Sequence, residues 1–187
     1  GTPTRENYIF AGWNPAVAET VTGDATYTAV WKEDRNNNGV PDDEENKYTI
    51  TYTDGVDGEE IFADQSYTGL LSGDATPEFV GTPTRENYIF AGWNPAVAAT
   101  VTGDATYTAI WKEDRNNNGV PDEDEDKYTV TYTDGVDGEE IFADQSYEGL
   151  LSGTATPEFA GTPTRENYIF AGWNPAVAAT VTGDATY

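Results

Sequence analysis

The chain has 187 residues and a formal net charge of −25, from 34 acidic against 9 basic side chains, with no cysteine and no histidine. That balance repels nucleic acid and anionic membrane surfaces and makes cations the expected small partners. It also excludes a disulfide framework, thiol chemistry and the usual nucleophile–base constellations. No apolar run approaches the ~18 residues of a membrane span, so direct membrane insertion is not expected. The first residues do not read as a signal peptide, and any export signal or anchor is expected to lie outside this piece.

Internal repetition sets the organisation. Residues 1–80 and 81–160 align without a gap and differ at nine positions, and a third copy begins at Gly161. The expected division is the C-terminal half of a repeat module at 1–32, an acidic linker at 33–47, a complete module at 48–112, a second linker at 113–127 and a module lacking its last strand at 128–187.

Taken in chain order, the run Tyr48–Thr53 alternates strictly, with Tyr48, Ile50 and Tyr52 on one face and threonines on the other, and predicts the first strand of a module. Asp54-Gly55 and Asp57-Gly58 supply turn chemistry, after which Glu59 to Phe62 is expected to run back as a second short strand. The stretch Ala63–Gly73 reads as one short helical turn or an irregular loop. Pro77 to Thr82 reads as extended chain, and the turn at Pro83–Asn87 feeds Tyr88–Trp93, expected to be a buried strand. Asn94-Pro95 matches a helix start, with Asn as cap and Pro in the first position, through Ala99. A last strand is predicted over Thr106–Trp111, with Tyr107, Ala109 and Trp111 on one face. A module of about 65 residues is near the size at which burial alone is marginal, and the dense aromatics, 5 Trp, 12 Tyr and 7 Phe, are expected to compensate.

The linker Glu113–Asp126 holds seven carboxylates, one Arg and three Asn, with almost nothing apolar. Without a cation, such charge density predicts an extended, mobile tether reaching up to ~45 Å. Its spacing nevertheless matches the ligand ladder of a calcium loop. Positions 1, 3, 5, 9 and 12 are Asp114, Asn116, Asn118, Asp122 and Glu125, Gly119 stands at the sharp turn, and Val120 offers its carbonyl at position 7. The earlier copy carries the same set at Asp34, Asn36, Asn38, Val40, Asp42 and Glu45. Calcium is therefore the expected structural cofactor, and two amides in place of charged ligands imply an affinity of roughly 10⁻⁴ to 10⁻³ M. The alternative is a solvated charged spacer.

The run PTRENYIFAGW at 83–93, followed by VTGDATYTAIW at 101–111, resembles the Listeria-Bacteroides repeat, also called the internalin B-type repeat. In that family a glycine precedes the tyrosine; here Asn87 stands there, and since Asn tolerates a left-handed backbone the turn is expected to survive. The resemblance covers 48–112, most of 128–187 and half a module in 1–32. It implies mainly β, β-grasp-like, ubiquitin-related small modules in a tandem beads-on-a-string array on bacterial cell-surface or secreted proteins, without catalytic activity. Separately, the loop at 114–125 is similar to thrombospondin type 3 and dockerin-like calcium repeats, including the proline after position 7, although strands rather than helices flank it.

Other site readings are weaker. Trp93, Trp111 and the tyrosines could stack on glycan, but aromatics in small β modules are mostly core. Arg85 is expected to pair with a surface carboxylate. Glu59-Glu60 lacks the cleft that glycosidase chemistry needs. Lys32, Lys47, Lys112 and Lys127 stand at module edges, which disfavours a self-formed isopeptide bond. The resulting expectation is a non-enzymatic stalk of a surface adhesin or extracellular fibre, its partners the neighbouring modules. A host protein or glycan, or like chains in a filament joined by strand complementation, are the alternatives.

Overall fold

A computed structural model describes residues 1–187 and is almost entirely β. The chain falls into two compact units, Gly1–Pro83 with Ala91–Ile110, and Thr84–Phe90 with Trp111–Tyr187. Strands β1 (Tyr8–Asn14) and β2 (Thr28–Glu33) form a two-stranded antiparallel sheet. Its register shifts between Phe10 and Gly12, where Gly12 takes a φ of 119°, so a bulge bends the strand. The rings of Trp13 and Trp31 meet Phe10 edge-on, at 5.3 and 5.6 Å between centroids.

A four-stranded sheet follows, made of β3 (Tyr48–Thr53), β4 (Gln65–Leu70), β5 (Tyr88–Asn94) and β6 (Ala105–Glu113) in the order β4-β3-β6-β5. The central pair is parallel, in the register Ile50↔Ala105 to Thr53↔Thr108, while β4 runs antiparallel to β3. Parallel neighbours need a long crossover; here it passes through β4 and β5 and contains no helix.

The alternation in β3 does what its sequence predicts, sending Ile50 and Tyr52 into a core with Val101 and Tyr107. Tyr52 is the hub. Its ring meets Tyr67, Phe79, Trp93 and Tyr107 at centroid distances of 4.8 to 6.3 Å, and its hydroxyl donates to the Pro77 carbonyl at 2.7 Å. Ring pairs of this kind add about 0.5–1.5 kcal/mol each beyond area burial. They are how a module poor in aliphatic residues holds together.

Several expectations fail here. Glu59–Phe62 is not a strand; the returning strand is β4, later in the chain. Asp54 accepts hydrogen bonds from the backbone N–H of Val56 (2.9 Å) and Ile61 (2.7 Å), which holds this stretch as a wide turn and delays the return. Pro77–Val80 is extended, as expected, and lies along β4. Gln65 pairs with Val80 like a backbone amide, donating Nε2 to the carbonyl and accepting the N–H at Oε1, both at 2.8 Å. Tyr67 donates to the Glu78 carbonyl at 2.9 Å.

The helix expected from Asn94 does not form. The Asn94–Pro95 peptide is cis, and the Ala98 N–H donates to the Tyr107 hydroxyl at 3.1 Å. Too few residues are left for a helical nucleus to be repaid by propagation. Strand β5 forms where expected but is only half-buried, because it stands at the sheet edge. In β6, Tyr107 and Ala109 are buried as predicted, while Trp111 is half-buried with its ring 5.7 Å from that of Phe90.

In the second unit, β7 (Tyr128–Tyr132) pairs antiparallel with β8 (Gln145–Leu150) and parallel with β9 (Ala185–Thr186), in the registers of the first copy. The core repeats as Val130, Tyr132, Val181 and Tyr187. No helix is long and apolar enough to cross a membrane.

Candidate metal centre

Both acidic segments fold into closed loops, which corrects the expectation of an extended tether. Local hydrogen bonding is the reason. Asp114, 5% exposed, accepts the backbone N–H of Asn118 at Oδ1 and of Gly119 at Oδ2, both at 3.0 Å, and Asn118 Oδ1 accepts the Val120 N–H at 2.8 Å. The first loop matches: Asp34 takes the N–H of Asn38 and Gly39 at 3.1 Å, and Asn38 Oδ1 takes that of Val40 at 2.8 Å. Gly39 and Gly119 have φ of 86° and 85°, the left-handed turn for which the sequence placed a glycine there.

At positions 3, 5 and 12 the side chains converge. Asn116 Nδ2 donates to both oxygens of Glu125 at 3.1 Å, and Asn118 Nδ2 donates to Glu125 Oε1. Asn36 reaches both oxygens of Glu45 at 3.3 Å, and Asn38 reaches Oε1. Position 9 goes elsewhere. Asp122 accepts the Arg115 backbone N–H at 2.9 Å on one oxygen and Arg115 Nε on the other, and Asp42 does the same with Arg35. Desolvation pushes each of these carboxyls up, but hydrogen bonds from the arginine side chain and backbone, together with its charge, outweigh it and hold both below the usual aspartate value.

The lysines pair with other carboxylates and carbonyls of each loop. Lys112 pairs with Glu123 at 2.7 Å and approaches Asp124, Lys32 pairs with Glu44 and with Asp43 at 3.5 Å, and Lys47 and Lys127 donate to the carbonyls of Asp42 and Asp122. These contacts raise the Lys32 and Lys112 ammonium groups above their ordinary value.

Each loop thus gathers two carboxylates and two amides, all hard oxygen donors of the class that suits calcium. No group of three or more His, Cys, Asp or Glu side chains converges to hold a metal. In this arrangement the amide nitrogens face Glu125, so a cation would be met by amide oxygens only after Asn116 and Asn118 turn over. The donor set fits calcium in kind, with Asp114, Asn116, Asn118 and Glu125 as the holding residues and Asp122 occupied by Arg115. The arginine at loop position 2 was the residue missed from sequence. Its signal was a lone cation inside an acidic run.

The other site readings find little support. Trp93 packs into the core against Tyr52, Phe62 and Phe79 rather than forming a surface platform. The Arg85 guanidinium lies 3.8 Å from the centre of the Tyr88 ring, a cation–π contact in place of the expected carboxylate pair. A cavity of about 500 Å³ in the second unit is lined by Gly135, Phe142, Arg165, Tyr168, Phe170 and Trp173, among others. Its lining includes Gly135 and Tyr187, which correspond to Gly55 and Tyr107 of the first sheet. A Cβ built on Gly55 would stand 2.4 Å from Thr108 Cγ2, whereas one built on Gly135 meets nothing within 4 Å.

A family model described as the Listeria-Bacteroides repeat domain matches residues 48–115 and 128–186. No curated protein and no solved structure matches the chain.

Proposed function

The chain belongs to the Listeria-Bacteroides repeat family, and on that premise we propose that it is a non-enzymatic spacer of a bacterial surface adhesin or extracellular fibre, whose joining loops bind calcium. The family is found in bacterial surface proteins and is not an enzyme family. The units of the array are the modules 48–112 and 128–187 with the half module 1–32, and the joints are 33–47 and 113–127. One observation carries the reading: the same closed loop, with two Asn and a Glu drawn together and an Asp bound to the loop backbone, stands after both the β1–β2 hairpin and the β5–β6 pair. A catalytic centre has no need of a repeated joint; a spacer of set length does. Calcium would supply positive charge between Asp114 and Glu125, and between Asp34 and Glu45, and thereby stiffen the joint.

The test is a calcium titration by calorimetry, paired with small-angle scattering with and without chelator. Expected are two weak sites of about 10⁻⁴ to 10⁻³ M, with larger overall dimensions or a narrower distribution of them when calcium is bound. The reading fails if no calcium binds and chelator leaves the scattering unchanged.

A further inference from the structure

Two consecutive residues of each loop reach in opposite directions. Asn117 Nδ2 donates to Asn87 Oδ1 at 3.0 Å, while the neighbouring Asn116 Nδ2, besides Glu125, donates to the Ser152 carbonyl at 3.0 Å. The Asp114 N–H also donates to the Asn87 carbonyl at 2.7 Å. In the first loop Asn37 reaches Asn7 at 3.0 Å, Asn36 reaches the Ser72 carbonyl at 3.0 Å, and the Asp34 N–H reaches the Asn7 carbonyl at 2.8 Å. These contacts lie within one compact unit in each case.

The backbone does not explain the choice of asparagine. Asn7 and Asn87 have φ of 61° and 59°, and Asn37 and Asn117 have 53° and 54°. Glycine takes that conformation without steric cost, and asparagine is the second choice. What asparagine adds at this position is a carboxamide, and its oxygen is the atom that receives Asn117.

We propose that the pairs Asn87–Asn117 and Asn116–Ser152, with their counterparts Asn7–Asn37 and Asn36–Ser72, form a two-sided clasp. One side ties the loop to the turn before β5 or β1, the other to the turn after β8 or β4, so the polypeptide itself holds the loop closed. The inference rests on the spacer reading for its purpose but not on calcium for its geometry. Asn87 and Asn7 are positioning residues. Each tie is a neutral, largely exposed hydrogen bond, which shifts a closing equilibrium by about two- to twelvefold.

The test uses the full chain with chelator present throughout. Because the repeats are nearly identical, both copies are changed together: Asn7→Gly with Asn87→Gly, and Asn37→Gly with Asn117→Gly. Glycine keeps the left-handed backbone and removes the amide, and the four-fold variant separates loss of the shared bond from the backbone freedom that each glycine adds. Hydrogen exchange of the loop N–H groups at Asn38, Gly39, Asn118 and Gly119 is expected to speed up by about two- to twelvefold in either variant. Exchange in β3 and β7 should stay unchanged. The four-fold variant is expected to match either pair, because both remove the same bond.

The chain has no cysteine, so Glu86→Cys and Glu148→Cys, both at exposed positions, admit two spin labels. The distance distribution between them is expected to broaden in the Asn87→Gly background. Unchanged loop exchange with an unchanged distribution would overturn the clasp, and so would effects that simply multiply in the four-fold variant. Either failure would leave the calcium titration standing, and a failed titration would leave the clasp untouched.

Discussion

Tyr52 offers the sharpest test of how the modules are held. The ring is 1% exposed, four aromatic rings surround it, and its hydroxyl is bound to the Pro77 carbonyl. At ~0.05–0.15 kcal/mol per residue, a module of this length has a total stability of about 3–10 kcal/mol. Tyr52→Phe keeps the rings packed but strands the carbonyl, which costs about 1–2 kcal/mol and should lower the melting temperature by about 4–8 °C for each kcal/mol. Tyr52→Ala removes the ring and costs about 3–5 kcal/mol, enough to unfold the sheet or bring it to the edge of unfolding. Tyr132 has the same surroundings in the second unit and serves as an internal reference. Peptides from β3 and β7 differ at Ile50 and Val130, so hydrogen exchange read by mass spectrometry resolves the two strands. Loss of protection is expected in β3 alone. A Tyr52→Ala chain whose β3 remains as protected as β7 would refute the claim that this ring organises the core.

Two further predictions follow from local geometry. Gly55 and Gly135 occupy the same turn with φ of 70° and 63°, so alanine strains the backbone at either by about 1–2 kcal/mol. At Gly55 it also meets Thr108 Cγ2 at 2.4 Å and the Ala109 carbonyl at 3.1 Å, adding about 1–3 kcal/mol of overpacking. Gly55→Ala should therefore be the more destabilising in urea denaturation of the 187-residue chain, and equal losses would contradict the packing. The second concerns acid: backbone N–H groups of Val136 and Ile141 hold the Asp134 carboxyl below its ordinary value, as Arg115 does for Asp122. A depressed folded-state value means that this stability is complete above about pH 4 and is lost as pH falls through the lowered value. The Arg115 Nε–H resonance should stay fixed down to about pH 4 and shift only below it, while a shift centred between pH 5 and 6 would contradict the pairing.

Much of this was readable in the sequence, for physical reasons that also mark the limits. Strict alternation over Tyr48–Thr53 leaves one register that buries Ile50 and Tyr52, so β3 was legible. Asn87 and Gly119 were legible as left-handed positions because few residues tolerate that conformation. Strand β4 was not. Its residues, Gln65 to Leu70, carry a glycine and three polar side chains, and what makes them a strand is β3 on one side and the Gln65–Val80 pairing on the other, both distant in sequence. The misread helix at Asn94 had a correct local signature but too short a run to repay nucleation, and the Ala98 N–H is taken by the Tyr107 hydroxyl instead. The spacing of the calcium ladder singled out Asn116, Asn118 and Glu125, whose side chains do converge. It could not reveal that the Asp122 oxygens belong to Arg115, because a spacing rule counts candidate donors without asking which cations already hold them.

That distribution of charge identifies the residue on which cation binding should depend. In the second loop Asp122 is neutralised by Arg115, Glu123 is paired with Lys112, which also approaches Asp124, and Asp114 is held by two backbone N–H groups. The hydrogen bonds reaching Glu125 come from the uncharged amides of Asn116 and Asn118. A carboxylate held only by neutral donors, as Glu125 and Asp114 both are, keeps its full charge to offer a cation, but Asp114 is buried and committed to the loop backbone. A carboxylate already paired with a guanidinium must give up that partner first. Changing Glu45 and Glu125 to Gln should therefore abolish the calcium response, while Asp42→Asn with Asp122→Asn should leave it within about threefold, the size of a change in one weak polar contact. Calorimetry on the two paired variants separates the cases. If the Asp42/Asp122 pair loses calcium binding as completely as the Glu45/Glu125 pair, position 9 is a ligand after all and the Arg115 contact must open when the cation arrives.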